Sequence, residues 1–322
     1  MQLAIDIGGT HLRIGYYDPN HARFLTHTKR SARTITSTAD LARAAHEQYT
    51  RAGLTGPIER AVIACAGPIE GRHVTLTNSG LTISADEFSE HTHIEDIVLL
   101  NDMEAGARHV SRYLTRLHEI HPTLTLEEAK LYRIDDNEHT NTFSPQNAIV
   151  VNIGTGCGVA LIATDGTHEL VVPSEAHALP YTPCDAKGHE LIAYLRARHG
   201  IEQPCFEDVL SGRGIERTYT FLCGKEKRAE EITADAEFDP AARETIAFFF
   251  RYHAYFIAII GALFLPYRAV ILTGNIVAAN LARLIESEYH KRIAEYAEVS
   301  SLARVPIVVL VEHDINLKGC IA

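Results

Sequence analysis

The stretch from Leu3 to Gly15 (Leu3-Ala-Ile-Asp-Ile-Gly-Gly-Thr-His-Leu-Arg-Ile-Gly15) constrains the fold of this chain most. An alternating apolar run ends on one acid, Asp6. Gly8, Gly9 and Thr10 turn the chain, and a second β-like run follows from Leu12 to Tyr17. The pattern predicts strand, glycine turn, strand. That is a hairpin rather than the strand-to-helix turn of a Walker loop. Two glycines leave backbone N–H groups open to the approach of an anion. An acid beside such a nest repels a phosphate directly, and suits a divalent cation or its waters. The stretch reads as a phosphate-binding hairpin, and equally as an ordinary hairpin with a Gly-Gly turn and an exposed acid.

A chain of 322 residues is long enough for about two domains. Its net charge of −11 argues against a nucleic-acid backbone as the main partner, since that needs a positive face. The six cysteines (65, 157, 184, 205, 223 and 320) show no CxxC pairing, which disfavours a zinc ribbon or a redox motif. Scattered thiols and an N-terminus without a signal pattern predict a cytoplasmic protein. The apolar stretch Tyr255 to Leu265 is too short to span a bilayer, so no membrane partner is expected.

Along the chain, Arg23 to Lys29 predicts a third strand and Ser37 caps a helix to about Ala52. Ile58–Ala66 and Ile97–Leu100 are continuous apolar strands, and a helix is predicted over about Glu104 to Leu114. Asp135 to Thr142 reads as a solvated loop. Ala148 to Ile153, Gly154-Thr-Gly-Cys-Gly158 and Val159 to Ile162 then repeat the opening theme of strand, glycine turn and strand. This predicts an internal duplication, with one copy in each domain. Helices are expected at Ala186–His199, Phe206–Leu222 and Val277–Tyr296, and a buried one begins at Asp239-Pro240.

Three glycine-bearing strand ends therefore stand in order: Asp6-Ile-Gly-Gly-Thr10, Gly154-Thr-Gly-Cys-Gly158 and Leu272-Thr-Gly-Asn275. Leu99-Leu-Asn-Asp102 lies between the first two. With Thr77-Asn78, Glu207-Asp-Val-Leu-Ser-Gly-Arg-Gly214 and Val311-Glu-His-Asp-Ile-Asn316, the ordered set resembles the bacterial glucokinase family of the hexokinase/actin-like ATPase superfamily. The resemblance covers essentially the whole chain. It implies an α/β, two-domain actin-like ATPase (ribonuclease H-like) fold with an interdomain cleft, divided here at 1–110 (smaller) and 111–322 (larger). It also implies ATP-dependent phosphorylation of a hexose, most simply D-glucose, with Mg²⁺.

By the same resemblance, Asp102 is the general base that accepts the sugar hydroxyl proton. Asn78, Asn101, Asp102, Glu175, His177 and Glu207 bind the sugar, whose many donors suit acid acceptors. Asp6 holds Mg²⁺ through water. Gly8, Gly9, Thr10, Arg13, Gly154, Thr155 and Gly156 face the phosphates, and Gly274 and Asn275 lie near the adenosine. Each position also has a structural reading: a helix cap for Asp102, a helix-entry turn for Gly274, a first-turn helical acid for Glu207 and a turn asparagine for Asn78. A homodimer is implied by the resemblance only.

The chain departs from the family pattern in three places. The second sugar loop, usually Gly-Glu-Gly-Gly-His, reads Ser174-Glu-Ala-His-Ala178, which aligns Ala178 with the family histidine and puts His177 one residue early. His11 replaces the asparagine after the first glycine turn. The terminal helix that members carry is expected to be shortened or absent here. The altered loop favours either a kinase for another hexose or a non-catalytic sugar-binding protein on the same fold.

Overall fold

The computed structural model describes residues 1–120, 130–134, 147–165, 167–264, 269–297 and 305–321. The polar loop read at 135–142 lies outside these residues. The chain divides into two compact units, Met1–Tyr113 with Asp314–Ala322, and Leu114–His313. Against the division expected at 110, the first unit runs on to Tyr113 and takes in the last nine residues.

In the first unit the opening run forms the predicted hairpin, β1 (Gln2–Ile7) and β2 (His11–Asp18), extended by β3 (Arg23–Ser31). Ser37 caps α1 (Thr38–Arg51) by accepting the Asp40 N–H. The apolar runs become β4 (Arg60–Cys65) and, after a small sheet of β5 (Ile69–Glu70), β6 (His73–Thr75) and β7 (Thr82–Ser84), then α2 (Ala85–Thr92) and β8 (Asp96–Asn101). The sheet order is β3-β2-β1-β4-β8, with β1, β4 and β8 parallel. α3 (Asp102–Ile120) begins two residues before its expected start, because Asn101 supplies the cap.

The second unit repeats the plan. β9 (Leu131–Arg133) precedes the second hairpin, β10 (Ala148–Ile153) and β11 (Cys157–Thr164), with β12 (Glu169–Ser174) at the edge. α4 (Ala186–His199) follows as predicted. The single helix expected over Phe206–Leu222 is instead a 3₁₀ turn at Phe206–Asp208 and then α5 (Gly212–Cys223). Ser211 starts the new helix by accepting the Gly214 N–H, and Gly214 packs so tightly on the Val209 backbone that no side chain fits there. α6 (Ala229–Asp235) leads to α7 (Pro240–Leu263), capped by Asp239. α7 is long and apolar enough to cross a membrane by composition, and longer than the Tyr255–Leu265 stretch suggested. Most of its residues are buried, with α5, α6 and a later helix packed on it.

β13 (Ala269–Thr273) comes next, and the helix expected over Val277–Tyr296 is broken into α8 (Asn275–Ala279), α9 (Leu281–Glu286) and α10 (Tyr289–Tyr296). Glu288 adopts a left-handed conformation (φ 51°) at the last break. β14 (Ile307–Leu310) completes the order β12-β11-β10-β13-β14-β9. Its first five strands reproduce the first sheet in order and direction: an antiparallel meander joined to parallel strands. The duplication read from two glycine turns thus extends to sheet topology.

The final segment closes the first unit through α11 (Ile315–Gly319). Gln2 Nε2 donates to the Cys320 carbonyl at 2.7 Å, and the Cys320 thiol donates to the Ile5 carbonyl at 3.3 Å. Gly319 lies against the Ala105 backbone with no room for a Cβ. Arg13 makes the polar link. Its Nη1 donates to Asp6 Oδ2 at 2.7 Å and its Nε to Asp314 Oδ1 at 2.6 Å. Asp6 is 3% exposed. Burial pushes its carboxyl up, while Arg13 and a hydrogen bond from Asn316 pull it back. A buried carboxylate without its cation is strongly destabilising. Arg13→Ala should therefore cost about 3 kcal/mol, and Asp314→Ala, which leaves the Asp6 contact in place, about 1 kcal/mol, read as shifts of the urea midpoint. Equal losses would contradict this ordering.

In the second unit, His253 on α7 is fully enclosed, stacked near Phe249, with Nδ1 2.5 Å from Tyr289 Oη. Burial pushes it down to about 3. The unfolded chain, with an ordinary histidine near 6.5, binds the extra proton first, so stability falls as pH drops from about 6.5 towards 3. His253→Phe should flatten that part of the stability–pH curve in urea melts. An unchanged slope would show that His253 is not the titrating group.

Candidate active site

Each unit presents its glycine hairpin at the end of its central parallel strand. In the first, β1 and β2 pair Asp6 with Arg13 and Ile7 with Leu12, and the Gly8 N–H is spent on the His11 carbonyl at 3.0 Å. Among the described residues the Gly9 and Thr10 N–H groups have no protein acceptor. Such a pair is a ready anion nest. Gly9 has a second reason to be glycine: a Cβ there would sit 2.8 Å from Asn78 Cβ. The exposed Thr77–Gly80 turn therefore leans directly on the hairpin. His11 is half-buried, and burial, helped by Lys29 and Arg13, pushes it down, away from the cationic form.

Asn101 and Asp102 stand at the join of β8 and α3. The helix-capping role considered for Asp102 belongs to Asn101. Its Oδ1 accepts the Met103 and Glu104 N–H groups at 2.9 and 3.3 Å, and its Nδ2 donates to the Gly67 carbonyl at 3.1 Å. Asn101 is buried, and its Gly67 bond ties α3 to the strand end at β4. Asp102 is half-buried at the first helical position, where the dipole of a long helix stabilises negative charge. Its Oδ1 accepts the Met103 N–H at 2.9 Å.

The first hairpin also has partners that the sequence reading did not assign. Asp314 and Asn316 reach it from the final segment, so Arg13 is held by two carboxylates. The quoted Val311–Asn316 motif contained both residues. What it lacked was any sign that the last residues return to β1.

In the second hairpin the positions equivalent to Asp6 and Arg13 are Asn152 and Gly158, so the ion pair has no counterpart. Gly154 N–H donates to the Gly156 carbonyl at 2.9 Å, and the Gly212 N–H, at the start of α5, to the Gly154 carbonyl at 3.1 Å. Thr155 is exposed at the tip. A Cβ on Gly156 would lie 3.0 Å from Glu207 Oε1, so the hairpin rests directly against that acid. Gly274 has φ 102° and packs on the Ile153 carbonyl, which only glycine permits. This places the turn before exposed Asn275 beside the second hairpin.

Glu207 lies in the 3₁₀ turn Phe206–Asp208, not in the first turn of a long helix. Its side chain is mostly covered. Oε2 lies 3.2 Å from His177 Nε2, and Oε1 lies 3.4 Å from Arg213 Nη2. The same His177 nitrogen is 3.3 Å from Glu175 Oε2. A short 3₁₀ turn at Ala176–Ala178 leaves Ala178 exposed and aims His177 at both acids. The structure thus brings together Glu175, His177, Glu207 and the second hairpin, and separately Asp6, Arg13, Asn78, Asn101, Asp102 and the first hairpin. Among the described residues no group of three or more His, Cys, Asp or Glu side chains is arranged to hold a metal ion.

Residues 3–322 match the family described as Glucokinase. A glucokinase of Chelativorans sp. is 28% identical over 271 residues, 81% of this chain and 74% of that protein. Among solved structures, glucokinase from Balamuthia mandrillaris in complex with glucose superposes with a TM-score of 0.82 at 20% identity, covering 99% of this chain and 92% of that one. A ROK-family glucokinase from Streptomyces griseus in complex with glucose and AMPPNP gives a TM-score of 0.65 at 17% identity, covering 99% and 97%. At those identities the structural likenesses establish the fold, and they agree with the repeated sheets described above. The match over nearly the full chain establishes that this protein belongs to the glucokinase family.

Proposed function

We propose that the protein transfers the γ-phosphoryl group of ATP to the 6-hydroxyl of a hexose, D-glucose first, in the presence of Mg²⁺. The observation that carries this reading is the end of β8, where Asn101 caps α3 and Asp102 follows at the first helical position, the residue that the family resemblance makes the base. The family match and the relatives solved with glucose and a nucleotide analogue support the choice of substrates.

Asp102 takes the hydroxyl proton as the sugar oxygen attacks the γ-phosphorus. A phosphate ester forms, the bond to the β–γ bridging oxygen breaks, and ADP leaves. Such transfer depends mostly on positioning and charge neutralisation. Gly9 and Thr10 offer N–H groups to the phosphates from the first hairpin, and Thr155 and Gly156 from the second. Glu175 and Glu207 accept sugar hydroxyls, and Asn78 and Asn101 make further polar contacts to the sugar. Gly274 and Asn275 receive the adenosine end.

Asp6 is buried against Arg13, so it suits contact with a cation through water rather than direct ligation. A single carboxylate beside a phosphate nest fits Mg²⁺, which keeps most of its waters and takes its other ligands from the nucleotide. When bound, Mg²⁺ supplies neutralisation of the phosphate charge. All six cysteines are free, which supports a reducing, cytoplasmic setting.

The test is a coupled ADP-release assay across hexoses. Asp102→Asn should lower kcat for glucose by at least about a hundredfold with KM little changed, because a general base contributes on that scale. An Asp102→Asn variant that turns over like the parent would overturn the assignment.

A further inference from the structure

Two adjoining cavities lie between the end of β3 and one row of α1, away from both glycine hairpins. The larger, about 340 Å³, is bordered by Arg30, Ser31, Thr34, Asp40, Arg43 and Glu47. The smaller, about 210 Å³, is bordered by Arg30, Glu47, Gln48 and Arg51. Arg43, Glu47 and Arg51 recur every fourth residue, so they share one face of α1, with Arg30 facing them from the strand. Three arginines thus surround one groove in a chain of net charge −11.

The charges in the groove are unequally matched. Asp40 is saturated: Oδ2 accepts the Thr36 N–H at 2.9 Å and the Thr36 hydroxyl at 2.6 Å, and Oδ1 accepts from Arg43. Arg30 is not. Its Nη1 lies 3.7 Å from Glu47 Oε2, too far for a hydrogen bond. Its Nε and Nη2 are shielded from water and have no hydrogen-bond partner. Among the described residues Arg51 has no acidic partner.

Nε–H and Nη2–H are the two donors on the side edge of a guanidinium. They point the same way, at the spacing of two oxygens of one anion. Orphaned donors cost stability, and two on the same edge share one remedy, a bidentate acceptor. The flanking Arg51 favours a doubly charged phosphate over a carboxylate. Ser31, Thr34 and Glu47 in the larger cavity are hydroxyl and carboxylate partners for a body that carries hydroxyls.

We propose that this groove is a further phosphate site, which takes a small phosphorylated polyol: the phosphate on the side edge of Arg30 with Arg51 beside it, and the hydroxyl-bearing body in the larger cavity. The edge is shielded from solvent, so ligand entry goes with a rotamer change at the rim, where Arg43, Glu47 and Arg51 are exposed. The site does not depend on the kinase reading.

The experiment titrates the full chain calorimetrically with glycerol 3-phosphate, inorganic phosphate and glycerol, at fixed low ionic strength, and records thermal midpoints. Glucose, AMPPNP and Mg²⁺ are present throughout to occupy the site proposed for phosphoryl transfer. The parent should bind one glycerol 3-phosphate, inorganic phosphate more weakly and glycerol not at all, with the midpoint rising only for the binders. Arg30→Lys keeps the charge but loses the paired donors, and should weaken glycerol 3-phosphate at least about tenfold. Arg51→Gln should weaken it about threefold. Arg30→Met keeps the apolar stem and removes the orphaned donors. It should abolish binding while its midpoint in phosphate-free buffer stays at or above that of the parent.

Absence of phosphate binding by the parent would overturn the proposal, as would an Arg30→Lys variant that binds like the parent. An Arg30→Met midpoint several degrees lower would make Arg30 a structural tie between β3 and α1, which also contradicts it. Inorganic phosphate binding as tightly as glycerol 3-phosphate would overturn the polyol assignment and make free phosphate the ligand.

Discussion

The fold of the first unit depends on one buried charge. Asp6 stands at the end of the central strand, almost without solvent, and tolerates that position because Arg13, directly across the hairpin, donates to it. Arg13 is in turn steered by Asp314 from the far end of the chain. The pair therefore connects three things: the turn that carries the Gly9 and Thr10 N–H groups, the sheet core, and the closing helix α11. Desolvating a carboxylate costs several kcal/mol unless it is paired. That cost keeps the final segment and the hairpin in register. The second hairpin has Asn152 and Gly158 in the same register and needs no such tie. The duplication is thus topological, with the charge chemistry confined to one copy.

Helix caps and tight glycine contacts set the positions of the residues proposed for the chemistry. Asn101 is held by three hydrogen bonds, and so fixes where α3 begins and where Asp102 points. Gly156 and Gly274 allow backbone to pass where a side chain would collide, which brings the second hairpin against Glu207 and the turn at Gly274 against Ile153. In each case a residue with little chemistry of its own decides the location of one that has it.

Much of the fold was legible in the sequence, because the signals were local. The Gly-Gly turn after Asp6 gave the hairpin, and Ser37 and Asp239 gave helix starts at the observed residues. The repeat of strand, glycine turn and strand gave the duplication. Two long helices were over-extended. Their breaks at Ser211 and Glu288 depend on a capping hydroxyl in one case and a left-handed residue in the other, and periodicity carries no trace of either. The tie from Arg13 to Asp314 joins residues at opposite ends of the chain, so spacing alone had no access to it. The position of His177, one residue before the alignment place of the family histidine, was visible in the sequence. The approach of its Nε2 to both Glu175 and Glu207 required the 3₁₀ turn at Ala176–Ala178.

The central claim is that the chain joins the γ-phosphoryl group of ATP to a sugar hydroxyl rather than to water. Phosphorus-31 NMR of the protein with ATP, Mg²⁺ and glucose tests it most directly. The account predicts a sugar 6-phosphate ester signal that grows in step with ADP, and little ADP when glucose is left out. ADP accumulating with free phosphate and no ester would contradict it.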